Sequence, residues 1–255
     1  ATVELRAVIQ DITVVDPDAD PDAGNISYGS VTFVDRDTHA VIAADVPVAL
    51  LDGDPTTGVA LYEWSVDLGN ADSASFTVGC IVNGFYTRND SYDNTVVTVS
   101  KPVPNSITGG GSLINFSCGG LFGGDPGLRT NFGFNVKFNK KLTNIQGHVN
   151  IIVRQDGRVY QIKTNATDSL VVNRKTGEAT FISKANLMDI TDPDNPISVS
   201  GNLSLIITLT DSGAPAIADS IGITLWNRDK LWFSSYWTGV KTEEELLAGG
   251  NLVIH

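Results

Sequence analysis

Apolar and polar positions alternate with a period of two along most of the chain, the spacing that puts successive side chains on opposite faces of a strand. In Thr2–Gln10 the residues Val3, Leu5, Ala7 and Ile9 share one face. The same alternation predicts strands over 30–35, 46–50, 59–66, 73–82 and 95–100, with Asp/Gly/Pro-rich turns at 16–24 and 52–58 and an Asn/Asp-rich turn at 89–94. About seven short strands in about 100 residues is the pattern of an immunoglobulin-like sandwich. Trp64 suits its core, although the Cys–Trp–Cys spacing of antibody domains is absent.

Lys101-Pro-Val-Pro-Asn105 interrupts the alternation, because two prolines remove ladder donors and exclude a central strand. With Gly109-Gly110-Gly111 following, a linker is expected at 104–111, between domains at 1–103 and 112–255. Alternation then resumes more strongly. Phe132, Phe134, Val136 and Phe138 face one way, and Leu203, Leu205, Ile207 and Leu209 repeat the pattern further on. Asp156-Gly157 joins two apolar runs as a two-residue hairpin turn. One local helical turn is expected over 242–247, with Thr242 and Glu245 as a capping box and Gly249 as the stop. No second helix supports a βαβ unit. The expected fold is therefore all-β: two tandem antiparallel β-sandwich domains, the first immunoglobulin-like, with one short helical turn near the C-terminus.

The second half resembles the bacterial extracellular post-COAP domain, which often follows immunoglobulin-like repeats. The resemblance spans about residues 108–255. It rests on Gly109-Gly110-Gly111, Asn131-Phe-Gly-Phe-Asn-Val136, Asp211-Ser-Gly-Ala-Pro215 with Asp219, and Gly249-Gly-Asn-Leu-Val-Ile-His255. These are turn and strand motifs, so the resemblance implies location and architecture rather than chemistry.

Composition narrows the partners. The 255 residues carry a formal charge of −12, and among 29 acidic residues Asp far outnumbers Glu. Such acidity opposes nucleic acid and anionic membranes. No apolar run approaches the roughly 20 residues of a membrane-spanning helix. A chain that starts at Ala1, with Met188 as its sole methionine, is expected to have lost a secretion leader, which places it outside the cell or on its surface.

The candidate chemistry is sparse. His39, His148 and His255 sit in no nucleophile or metal motif, so a non-catalytic protein is expected. Calcium is the best positive signal. Asp16, Asp18, Asp20 and Asp22 alternate in a proline-punctuated loop, Asp189, Asp192 and Asp194 form a second group, and Asp211 with Asp219 a third. The alternative is that these aspartates simply build turns. Cys80 and Cys118 could form a disulfide or stay buried thiols. Trp232 and Tyr236 share a face and could form a sugar-stacking platform, or pack beneath the terminal turn. Val3, Leu5, Ala7 and Ile9 mark an alternating strand that could add to the sheet of a neighbouring copy. The functional expectation is a calcium-stabilised adhesive or self-assembling fibre subunit; a carbohydrate-binding appendage is the alternative.

Overall fold

The chain was analysed in a computed structural model, described over residues 1–13, 24–101, 106–139, 144–213 and 218–255. It is all-β and antiparallel, and the described residues include two short 3-10 turns, Ile26–Tyr28 and Ser91–Asp93. It divides into two compact units, residues 1–69 with 78–94, and residues 70–77 with 95–255.

The first unit pairs strands β1 (Thr2–Gln10), β5 (Asp54–Ser65) and β4 (Ala49–Leu51) in one sheet. Its other sheet runs β3 (Ala40–Pro47), β2 (Gly29–Asp35), the part of β6 (Ser73–Gly84) from Val78 onward, and β7 (Arg88–Asn89). The expected strand at 46–50 is in fact the end of β3 and the start of β4, which break around Val48, next to Pro47. Leu5, Ala7, Ile26, Val31, Phe33, Val46, Val48 and Ala60 are all buried. Gly58 is required where it stands, since a Cβ there would collide with Val48 and Ile26.

The second unit is dominated by a long meander: β9 (Ser106–Ile114), β10 (Arg129–Phe138), β11 (Ile145–Gln155), β12 (Arg158–Asn173), β13 (Glu178–Asp189), β14 (Ile197–Thr210), β15 (Ser220–Asn227) and β16 (Lys230–Ser234). The last strand, β18 (Gly249–Ile254), returns beside β9. The segment leaving β9 then runs back along the outer edge of β16. Gly119 pairs with Ser234, and the Phe122 N–H donates to the Trp232 carbonyl at 2.6 Å. The sheet thus returns on itself around one core, in which Phe132, Phe134, Phe181, Leu205, Ile207, Ile223 and Phe233 are fully enclosed. Asp156 and Gly157, both at positive φ, make the expected hairpin between β11 and β12.

Two boundary expectations change. The stretch taken as linker is strand β9 from Ser106 onward, while 102–105 lie outside the described residues. Strand β8 (Thr95–Ser100), expected to close the first domain, belongs to the second unit, where it pairs with β6 and the Lys101 N–H donates to the Asp72 carbonyl. This layer covers the outer face of β10 to β12. Thr77 Oγ1 accepts from Asn150 and Gln161, at 2.9 and 2.7 Å, in a fully buried polar cluster. Gly133 gives β8 its approach, since a Cβ there would strike Thr98 and Val96.

The helical turn over 242–247 does not form. Its backbone donors are used by the sheet instead: the Glu243 N–H goes to Tyr236, the Leu247 N–H goes to Asp219, and β17 (Glu245–Leu246) pairs with β15. Thr242 bonds the hydroxyls of Thr224 and Ser234, and Glu244 accepts from Thr210 and Ser220. A capping box is worth about 1 kcal/mol, less than these tertiary partners combined.

Candidate functional site

The calcium candidates separate into two kinds. Asp16, Asp18, Asp20 and Asp22 lie outside the described residues. Asp189, Asp192, Asp211 and Asp219 have carboxylate oxygens engaged by protein donors, and Asp194 gives its N–H to Asp192. Asp189 accepts from the backbone and hydroxyl of Thr191 and from Arg158 at 2.7 Å. Burial opposes its ionisation, but these bonds prevail and hold its carboxyl below the usual range. Asp192 accepts from Asn195 and from the Asp194 N–H, which also lowers its pKa. Among the described residues, no group of three potential ligands converges on one point.

Asp211 and Asp219 do something the sequence reading missed. In β18, His255 N–H bonds Ser106 of β9 across a residue pair, so by ladder alternation the N–H groups of Leu252 and Ile254 point away from β9. Asp219 accepts from Leu252 at 2.8 Å and Asp211 from Ile254 at 2.9 Å. Asp219, only 1% exposed, also takes both donors of Ser212. The two carboxylates occupy the place of a neighbouring strand and blunt that edge.

Cys80 and Cys118 are free thiols, so the candidate disulfide is absent. Cys80 lies in β6 opposite Phe33, in the first unit. Cys118 belongs to the second, where its Sγ donates to the Ser235 carbonyl at 3.2 Å. Burial pushes both up, Cys80 to about 11 and Cys118 to about 12, as expected of inert thiols. Trp232 is half-buried against the core, its ring tilted on Phe122 with centroids 5.1 Å apart. Tyr236 is also half-buried, and Trp237 meets Trp226 edge-on at 6.1 Å.

The strand nominated for intersubunit contact has a different character. β1 pairs with β5 along its whole length, from Thr2 opposite Ser65 to Gln10 opposite Thr57. Leu5 and Ala7 are buried, Val3 and Ile9 half-buried, and Thr2, Glu4, Arg6, Val8 and Gln10 exposed. Ala1 and Val66 exchange backbone bonds in both directions, at 2.9 and 2.7 Å, and the Asp11 N–H donates to Thr56. That phase directs the odd-numbered residues' backbone groups at β5. The N–H and C=O of Thr2, Glu4, Arg6, Val8 and Gln10 therefore point away from the sheet, where no described strand meets them.

Several other edges are short, broken or covered. β4 has three residues and β7 two. β3 carries bulged pairing, a positive-φ Asp45 and Pro47. The edge of β16 is covered by 119–122, and that of β18 by the aspartates. β1 is a nine-residue edge, paired without a register shift on one side and met by no described strand on the other. No protein family, curated protein sequence or solved structure was found that matches the chain.

Proposed function

We propose that this chain is a non-catalytic structural protein of the cell exterior, a fibre or adhesive subunit that joins copies of itself through strand edges. The observation that carries this reading is the open, regular edge of β1, which no described strand meets. Sheet edges left unpaired template further pairing, and proteins that stay monomeric disarm them. The extracellular placement draws on the aspartate-rich, acidic composition and on the resemblance of the second half to post-COAP domains. Calcium in the loop around Asp16–Asp22 would offset the mutual repulsion of four closely spaced carboxylates. The positions of the histidines support a non-catalytic role: His39 lies in an exposed turn, His148 is exposed on β11, and the His255 ring lies beside Thr108.

Negative-stain electron microscopy of the native particle tests the proposal. Filaments or regular strings of subunits are expected. A protein that stays monomeric at high concentration, with and without Ca²⁺, would overturn it.

A further inference from the structure

We propose that the β1 edge pairs with the β1 edge of a second copy across a two-fold axis, in the antiparallel register that sets Glu4 of each copy opposite Arg6 of the other. This rests on the self-assembly reading and adds to it the partner surface, the symmetry and the register.

The phase of the ladder limits the choices. Only Thr2, Glu4, Arg6, Val8 and Gln10 present outward backbone groups, so a second strand must match these residues to one another. A two-fold axis through Glu4 would face Glu4 with Glu4, and one through Arg6 would face Arg6 with Arg6. An axis through Ala7 leaves both charges opposite neutral residues, Gln10 and Val8. An axis through Leu5 alone pairs opposite charges, Glu4 with Arg6, twice by symmetry. It also sets Thr2 opposite Val8 on the outer face and Val3 opposite Ala7 on the inner one. Val8, 59% exposed, gains cover.

Two features within the chain favour this register. Glu4 already stands directly opposite Glu63 of β5, a like-charge cross-strand pair that is unfavourable in isolation. Neither Glu4 nor Arg6 has an ion-pair partner among the described residues. Arg6 of the partner subunit would relieve the first and satisfy the second. Exposed ion pairs contribute modestly, so the backbone ladder supplies the affinity and the charges select the register. The interface is isologous and closes on itself. It therefore forms the dimeric step, and a fibre requires a second contact elsewhere.

Sedimentation velocity on the full-length chain over a range of concentrations tests this, with circular dichroism to check folding. The wild type is expected to dimerise. Glu4→Arg and Arg6→Glu, each alone, place like charges across the axis twice and should weaken self-association about tenfold or more. An equimolar mixture of the two single variants should dimerise again, because each supplies the charge the other lacks. The double variant E4R/R6E should self-associate like the wild type. Association that is unchanged in the single variants, or not rescued by mixing, would overturn this register while leaving self-assembly standing. A wild type that never associates would remove both.

Discussion

Glu245 carries a poorly satisfied charge in the second unit. Its Oε2 is buried without a hydrogen-bond partner, and burial raises its carboxyl from 4.5 to about 7. The sign follows from proton linkage. Between about pH 4.5 and 7 the unfolded chain releases this proton while the folded one keeps it, so folded stability falls as pH rises and levels off above 7. Glu245→Gln removes the titration. The melting temperature of the variant should gain on the wild type from pH 4.5 to 7 and hold that lead above; a difference independent of pH would show that Glu245 ionises freely. Nothing in the sequence marks this residue, because Thr242 and Glu245 have the spacing of a capping box and local spacing carries no information about burial. The aspartates were only half legible for a related reason. Asp189 ends β13 and Asp192 sits in the turn after it, but whether their oxygens serve a cation or nearby protein donors depends on what the fold brings within reach.

At the scale of elements, alternation identified strands well wherever one face meets the core. The Phe132–Val136 run and the Leu203–Leu209 run are buried as the period of two requires. It failed at β9, where Gly109-Gly110-Gly111 has no side chains to alternate. The glycines there serve packing, since a Cβ on Gly109 would occupy the space of Phe134 and Leu252. Nor could alternation show that the edge of β18 is closed by Asp211 and Asp219, which are distant from it in sequence and whose type fits calcium ligands or turns equally. Asp219→Ala should expose the cost of that edge. It leaves the Leu252 and Ser212 N–H groups without their acceptor in a buried site, a loss on the order of 2–4 kcal/mol in denaturant unfolding. Faster amide exchange at Leu252 should accompany it. Unchanged stability would mean that water replaces the carboxylate.

The whole molecule contrasts two treatments of the same liability. In the second unit, a meander of eight strands is rolled around one core, and the edges of β16 and β18 are covered. In the first, β1 keeps a regular row of outward backbone groups that no described strand meets. The candidate strand was legible in the sequence as Val3, Leu5, Ala7 and Ile9, but these are the residues that bind it to its own sheet. The surface offered to a partner consists of the polar residues between them, and only the ladder phase, fixed by Ala1 and Val66, reveals this. Amide hydrogen exchange across a concentration series reads that surface residue by residue. In dilute protein the amides of Val3, Leu5 and Ala7 should be protected while those of Glu4, Arg6 and Val8 exchange freely. On concentration, Glu4, Arg6 and Val8 should become protected as well, giving continuous protection along β1. Amides that stay fast at these three positions at every concentration, even as larger particles form, would contradict assembly through this edge.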